Sequence, residues 1–253
     1  MPPQETLRTT WALFKAADGI VEVRALSCGG RSRAWAGWAA GTVVGYFDDE
    51  AAFTTAVATL DATGKAAGIY VTLNPVHPAL LARANNRLVA AKRGETVADE
   101  HILRRRWLLV DFDPVRPAGI SSSTSELQYS LATARLAAAA LANHGWPEPT
   151  PAASGNGIHL LYPLDLPNDP AATETAKAML RTAVAWQTEQ VQIDITNFNA
   201  GRITKCYGTV ARKGDPTAER PHRRATFLSK DVLCPNPNTT PISIPAANPD
   251  AAR

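Results

Sequence analysis

The sequence predicts an α+β protein. Its second half shows an apolar strand at Trp107–Pro114, a capped helix over about 126–144, and an Asn-Gly turn at 156–157 between two apolar segments. A helix opening at Asp169-Pro170 and a strand over 191–195 follow. This order of strand, helix, hairpin, helix and strand is compatible with the sheet of RNA-recognition motifs.

The first hundred residues predict a smaller α/β unit. In chain order the expected elements are a loose start (1–10), a strand (19–26), a loop (29–33), a strand or hairpin (34–47), a helix (50–61), a strand (69–73) and a helix from His77-Pro78 through Leu88. We therefore expect three segments: an N-terminal α/β subdomain (1–100), a subdomain built on the second sheet (101–232) and a proline-rich tail or linker (233–253).

Composition indicates an ordinary globular protein. The chain has 253 residues, a formal charge of +3 and three widely spaced cysteines, which form no metal-ligand pair and no disulfide framework. A reducing cytosol is the expected setting. Neither a signal peptide nor a membrane-spanning run is visible, so no membrane contact is expected.

The strand at 107–114 carries two acidic side chains on one face. Side chains alternate along a strand, so Asp111 and Asp113 point the same way, while Val110 and Phe112 point the other way. Two neighbouring carboxylates at the end of an apolar strand are costly unless a cation lies between them, and oxygen ligands favour Mg²⁺ or Mn²⁺. The plain alternative is a turn at the strand end.

Two later motifs complete a recognisable order. Ser154-Gly155-Asn156-Gly157-Ile158-His159 follows the paired aspartates, and Asp194 precedes the basic strand that contains Lys205. This set resembles the archaeo-eukaryotic primase superfamily, in particular the primase-polymerase domains of phage and plasmid replication proteins. The resemblance covers roughly residues 19–230 and extends to segments 70–75, 114–117, 205–209 and 220–223.

The resemblance implies a catalytic sheet of the RNA-recognition-motif type, preceded by an additional α/β unit. It also implies site roles. The catalytic residues would be Asp111, Asp113, Asp194 and His159, and the three aspartates would bind Mg²⁺ or Mn²⁺. His159 would contact phosphate of the incoming nucleotide. Taken alone, Asp194 is better explained as a surface or turn aspartate, and His159 as a core histidine.

The remaining nucleotide-binding candidates are polar or basic. Loop glycines let backbone amides approach phosphate, and a lysine supplies a point charge. The nucleotide-binding set is Ser154, Asn156, Gly157, His159, Lys205 and Arg223.

Basic residues are concentrated late in the chain. Segment 202–230 holds eight lysines or arginines and two acidic residues. A solvated basic face is the ordinary explanation, but a polyanionic substrate explains the position beside the expected site. The candidate template contacts are Arg212, Lys213 and His222, with Arg83 and Asn86 as weaker members.

These observations predict a DNA primase-polymerase that copies single-stranded DNA from nucleoside triphosphates. By resemblance, a replicative helicase domain or protein is an expected partner, and a phage- or plasmid-encoded protein in the bacterial cytoplasm is the expected context. One alternative is a non-catalytic single-stranded nucleic-acid-binding module, although no aromatic RNA-binding strand motif is present. Another is a rolling-circle nuclease, which would need a His-x-His pair that the five histidines do not contain.

Overall fold

The computed structural model describes residues 1–233 of the chain. The α-helices are α1 Pro3–Phe14, α2 Glu50–Ala62, α3 Thr124–Asn143 and α4 Pro170–Ala183. The strands are β1 Val21–Ser32, β2 Trp35–Phe47, β3 Gly68–Thr72, β4 Leu88–Ala90, β5 Arg104–Pro114, β6 Thr150–Ala153, β7 Ile158–Pro167, β8 Val191–Ile193, β9 Ile203–Lys205, β10 Val210–Ala211, β11 Arg223–Arg224 and β12 Thr226–Phe227. The chain is therefore α+β, as predicted.

The second half forms the expected sheet. Its strands lie in the order β12-β6-β7-β5-β8, and its elements follow the chain order β5-α3-β6-β7-α4-β8. Strand β5 pairs antiparallel with β7 on one side and with β8 on the other. This strand order and connectivity are those of an RNA-recognition motif, so the predicted fold class is confirmed.

The first sheet has the order β4-β2-β1-β3-β9 and includes a strand from much later in the chain. Tyr70 of β3 pairs with Lys205 of β9. The expected division near residue 100 assigns Lys205 to the second subdomain, whereas its strand completes the first sheet. A pairing between segments so distant in sequence leaves no local signal in either segment.

Helix starts follow the capping residues in the sequence. Ser123 accepts a hydrogen bond from the backbone N–H of Glu126 at 3.2 Å, and the Glu126 carboxylate accepts one from the Ser123 N–H at 2.8 Å. Asp49 and Asp169 cap α2 and α4 in the same way, by accepting from Ala52 and Ala172.

Three expectations for the first hundred residues are wrong. The loop expected at 29–33 is instead mostly strand, because β1 continues through Ser32 in its pairing with β2. Residues 1–10 are not a loose start, because Leu7, Trp11 and Phe14 form a buried stripe at helical spacing on α1. The helix expected from His77-Pro78 through Leu88 is only a short 3-10 turn at Pro78–Arg83. Asn86 takes a left-handed conformation with φ of 50°, which ends any helix, and Leu88 begins β4.

Strand β5 separates two cores. Leu109 packs among residues of the first sheet and of α1 and α2. Leu108, Val110 and Phe112 pack instead against α3 and α4. The face that carries Asp111 and Asp113 is thus turned toward the first sheet, as the alternation predicts.

Among residues 1–233, none of the helices has the length and apolar character needed to cross a bilayer. The expected tail or linker at 233–253 lies, apart from Leu233, outside the described residues.

Candidate active site

A cavity of about 500 Å³ lies where the two sheets meet. The first sheet contributes Leu26, Tyr70 and Lys205, and the second contributes Asp111, Asp113 and His159. The other polar lining residues are Ser27, Arg116, Ser154, Asn156, Asp194, Asn197, Arg202, Thr204 and Lys213. The cavity therefore brings all three predicted catalytic aspartates together with His159 and Lys205.

Asp111 lies at the buried end of this cavity. Its backbone pairs with His159 of β7, so the two side chains share one face of the sheet. Its Oδ1 atom is buried and has no hydrogen-bond partner among the described residues. Burial, followed by the neighbouring Asp113 and Asp194, raises the pKa of Asp111 well above its ordinary value. Arg116 and Arg202 lower the pKa without cancelling this rise, so a bound cation would stabilise the ionised form of Asp111.

The other two carboxylates have basic neighbours. Arg116 Nη1 lies 3.3 Å from Asp113 Oδ1, and Arg202 Nη2 lies 3.6 Å from Asp194 Oδ2. Asp194 Oδ1 also accepts hydrogen bonds from the backbone N–H and the hydroxyl of Thr196, both at 2.7 Å. These contacts orient Asp113 and Asp194 and partly offset their charge.

Asp194 does not sit on a strand, contrary to the sequence expectation. Strand β8 ends at Ile193, and Asp194 begins the turn that follows. Ile195, expected to be a strand residue, is half exposed. The Asp194 side chain nevertheless reaches the cavity, because β8 pairs with the end of β5 that carries Asp113.

The carboxylates suit a divalent cation by donor chemistry. Asp113 and Asp194 lie close enough to Asp111 to raise its pKa, and Asp111 has a buried oxygen with no hydrogen-bond partner among the described residues. Carboxylate oxygens are the hard ligands that Mg²⁺ and Mn²⁺ prefer. Within residues 1–233, however, no three histidine, cysteine, aspartate or glutamate side chains are arranged so that they could together hold a metal ion. The metal role of the aspartates therefore stays a prediction.

His159 is 5% exposed and held from both sides. Its Nδ1 lies 2.7 Å from the Tyr207 hydroxyl, and its Nε2 lies 3.5 Å from Asp111 Oδ1. Burial and the nearby Lys205 lower the pKa of His159 to about 3, so the ring is neutral. A neutral imidazole can offer a hydrogen bond to phosphate but no charge.

The loop between β6 and β7 is ordered by its own polar groups. Ser154 Oγ accepts a hydrogen bond from the Gly157 N–H at 2.9 Å, and Asn156 Oδ1 accepts one from the Ser122 N–H at 3.0 Å. A Cβ atom on Gly157 would lie only 2.9 Å from Asp113 Oδ1. Glycine at this position therefore lets the loop pass directly against the carboxylate cluster.

Lys205 supplies a buried positive charge on the opposite wall. Its Nζ donates to the Val210 carbonyl at 3.1 Å and lies 5.4 Å from the ring centre of Tyr70. Burial lowers the pKa of Lys205 to about 8, although Asp61 acts in the opposite direction. The ammonium form therefore still predominates at neutral pH.

Several basic candidates lie outside this cavity. Arg223 is 2% exposed, and its guanidinium donates to the Ser122 carbonyl and, at 3.1 Å, to Thr124 Oγ1. These contacts hold the start of α3, so its geometry favours a structural role over the predicted nucleotide contact.

Arg212 and His222 line a different cavity, of about 920 Å³. Arg212 and Arg224 each form an ion pair with the buried Asp61, at 2.8 and 2.7 Å. Arg220 pairs with Glu126 at 2.8 Å. Much of the basic excess in segment 202–230 is therefore neutralised inside the fold, which a linear count of charges cannot reveal.

The two weaker template candidates are also engaged elsewhere. Asn86 Nδ2 donates to Asp48 Oδ1 at 2.7 Å, and Arg83 Nη1 donates to the Glu95 carbonyl at 3.3 Å. Neither residue lines the cavity that holds the three aspartates, whereas Lys213 is exposed and does line it. Of the five template candidates, only Lys213 adjoins the aspartates.

Six polar residues of the cavity lining were not among the predicted site residues: Ser27, Tyr70, Arg116, Asn197, Arg202 and Thr204. Arg116 and Arg202 follow Asp113 and Asp194 in the sequence. A positive charge soon after each aspartate is the sequence feature from which they could have been predicted as site residues. Asn197 has a buried Nδ2 with no partner among the described residues. No sequence pattern singles out this asparagine.

No protein-family model matches the chain, and no curated protein matches it. Among solved structures, the chain is similar to the polymerase domain of Ligase D from Mycobacterium tuberculosis in complex with DNA. The two are 18% identical, the match covers 91% of this chain and 86% of that chain, and the TM-score is 0.46. At this level of similarity, any functional conclusion rests on the residues of this chain.

Proposed function

We propose that the protein is a DNA primase-polymerase that joins nucleoside triphosphates on a single-stranded DNA template. The observation that carries the proposal is the position of Asp111. Its buried Oδ1 has no hydrogen bond from the described residues, with His159 Nε2 nearest at 3.5 Å, and two further carboxylates share its cavity. A buried carboxylate without a hydrogen-bond partner adds no stability to the fold, whereas an active site that binds a cation uses such carboxylates as ligands.

The polarity of the cavity walls supports a triphosphate as the ligand. Asp111 and Asp113 lie on the second sheet, and Asp194 directly follows its strand β8. Lys205 lies across from them on the first sheet, and Lys213 is also in the lining. Bound metal ions would lower the pKa of the attacking hydroxyl and neutralise charge on the leaving pyrophosphate. Asp111, Asp113 and Asp194 would hold these ions.

The remaining residues would position the substrate. His159, fixed by Tyr207, offers a neutral ring nitrogen, and Lys205 offers an ammonium group to phosphate oxygens. The Ser154–Gly157 loop would shape the phosphate side of the cavity, since the amides of Ser154, Asn156 and Gly157 already donate within the loop. In the reaction, the 3′-hydroxyl oxygen bonds to the α-phosphorus, the bond to pyrophosphate breaks, and the hydroxyl proton leaves to solvent.

The partners in this proposal are an unpaired DNA template and nucleoside triphosphates. A replicative helicase, and a phage or plasmid replication system in the bacterial cytoplasm, belong to the proposal only through the family resemblance.

A pyrophosphate-release assay tests the proposal. Release should require a single-stranded template, matching triphosphates and Mg²⁺ or Mn²⁺ together, and it should fall to background in Asp113→Ala. A protein that binds the template but releases no pyrophosphate under any of these conditions would instead be a non-catalytic binding module.

A further inference from the structure

The β1–β2 hairpin carries an aromatic side chain that packs on no core. Trp38 is 68% exposed, whereas Trp35, three residues earlier, is 6% exposed and donates from its indole nitrogen to the Gly30 carbonyl. The Trp38 indole lies over Gly30, where a Cβ would be 4.0 Å from Trp38 Cη2. One tryptophan therefore anchors the hairpin, and the other presents a flat ring to solvent.

Strand alternation places Trp38 on the cavity side of the hairpin. Ala25 and Ala39 face the main core, so Leu26, Ala40 and Trp38 face the other way. Leu26 and Ser27 line the catalytic cavity. Trp38 and the cavity lining therefore share one face of the first sheet.

The surface between Trp38 and the cavity is short and carries only small side chains. Gly30, beneath the indole, is three residues from Ser27, a separation of at most about 11 Å for an extended chain. Gly29 has open space around its Cα, and its partner Ala40 is exposed. Small side chains here leave room for a ligand to lie flat against the backbone.

The charge of the hairpin favours an anion. Between Val23 and Phe47 the sequence contains three arginines and no acidic residue. Arg24 is paired with Glu22, but Arg31 and Arg33 are exposed near the tip. An exposed aromatic ring beside unshielded arginines matches how unpaired nucleic-acid strands are bound, by base stacking and phosphate contacts.

We propose that the hairpin face formed by Gly29, Ala40 and Trp38 is a stacking platform for the single-stranded template next to the catalytic cavity. The proposal rests on the proposed function, since it supplies that site with its template. A template base stacks on the Trp38 indole, and Arg31 and Arg33 contact flanking phosphates.

Binding of a labelled oligothymidine 20-mer, measured by fluorescence anisotropy at several salt concentrations, tests the platform. Trp38→Ala should weaken binding at least about fivefold, since stacking contributes roughly 1–3 kcal/mol per base. The salt slope should stay unchanged, because no charge is removed. The Arg31→Ala/Arg33→Ala double variant should instead lower the slope by about 1.4.

Matched controls separate stacking from general surface effects. Trp38→Phe should keep most of the affinity, because a phenyl ring still stacks. Tyr129→Ala removes another exposed aromatic side chain, on α3, and should bind like wild type. Oligothymidine should also quench tryptophan emission in wild type and leave the emission of Trp38→Phe unchanged.

Two outcomes would overturn the platform. These are a Trp38→Ala affinity within twofold of wild type in a folded variant, or no oligothymidine binding by wild type at all. Failure of the proposed function looks different. In that case wild type binds the strand through Trp38 but adds no nucleotide to any template.

Discussion

At the scale of single residues, the environment of Asp111 dominates the candidate site. Within residues 1–233 its buried Oδ1 has no hydrogen-bond partner, His159 Nε2 lying 3.5 Å away, and Asp113 and Asp194 repel its charge. Arg116 and Arg202 contact the other two carboxylates, not this one. The Asp-x-Asp pattern on a strand was sufficient to predict the pair, whereas the degree of burial depended on the first sheet that covers it.

Replacing Asp111 with asparagine separates binding from folding. Asp111→Asn should abolish nucleotide addition, yet its melting temperature in chelator should equal or exceed that of wild type, because a buried repelled charge is gone. The rise in melting temperature caused by Mg²⁺ or Mn²⁺ in wild type should disappear. Thermal denaturation with and without metal measures both effects.

Asp165→Asn is the matched control for this change. Asp165 is an exposed acid on the same sheet, paired with Arg104. The Asp165→Asn variant should therefore show the same metal-dependent stabilisation and the same synthesis as wild type. An Asp111→Asn variant that still gains the full stabilisation from metal would contradict the assignment of Asp111 as a ligand.

Lys205 predicts a pH dependence of nucleotide binding. Its pKa is lowered to about 8 by burial, so raising the pH above that value removes the charge that attracts a triphosphate. Affinity should therefore fall as the pH rises from 7 to 9. Because a bound triphosphate favours the ammonium form, the pKa in the complex lies above that of the free protein.

The Lys205→Met variant keeps the length of the side chain without its charge. It should bind a fluorescent triphosphate roughly tenfold or more weakly at pH 7, the loss expected for a charge-assisted hydrogen bond. Its affinity should be nearly flat between pH 7 and 9. Equal pH profiles for wild type and variant would remove Lys205 from the binding site.

At the scale of elements, local signals predicted local structure well. The Ser123–Glu126 capping box starts α3, and the Asn156-Gly157 turn joins β6 to β7, as expected from sequence. Helix α1 was missed because its apolar stripe is short and interrupted by threonines. Strand β9 was expected as a strand, but its partner β3 lies more than a hundred residues away, beyond any local pattern.

Arg223 is a basic residue near the site whose contacts are with the start of α3, so we expect it to stabilise the fold and not to bind substrate. Arg223→Ala removes a buried guanidinium that donates to Ser122 and Thr124. We expect a loss of about 1.5–3 kcal/mol in the free energy of unfolding. The dissociation constant for nucleotide should stay unchanged in the folded variant.

Lys213→Ala is the natural counterpart on the same stretch of chain. It removes an exposed charge that lines the cavity, so stability should hardly change while template or nucleotide affinity falls. Urea denaturation and anisotropy titration of both variants give the comparison. A weaker nucleotide affinity in a stable Arg223→Ala protein would restore Arg223 to the binding set.

At the scale of the whole molecule, the two sheets share a core and a cavity. Leu109 and Leu161 of the second sheet pack among residues of the first, and β9 returns from the second half to complete the first sheet. Sequence reasoning predicted both units but not their interlocking, because the contacts join segments remote in the chain.

The shared core predicts cooperative unfolding. Calorimetry of the whole chain should give one transition whose calorimetric and van't Hoff enthalpies agree. A fragment of residues 1–100 lacks β9 and exposes the face that covers Leu109, so it should show no cooperative transition alone. Two separate transitions in the whole chain would instead support the division near residue 100.

Template-directed synthesis without a primer is the most direct test of the central claim. The protein is incubated with a homopolymeric single-stranded DNA template, labelled ribo- or deoxyribonucleoside triphosphates, and Mg²⁺ or Mn²⁺, and the products are separated on a denaturing gel. We predict products only with the complementary triphosphate, and none from the Asp111→Ala/Asp113→Ala variant. Absence of products with every nucleotide and metal, or wild-type yields from the double variant, would contradict the account.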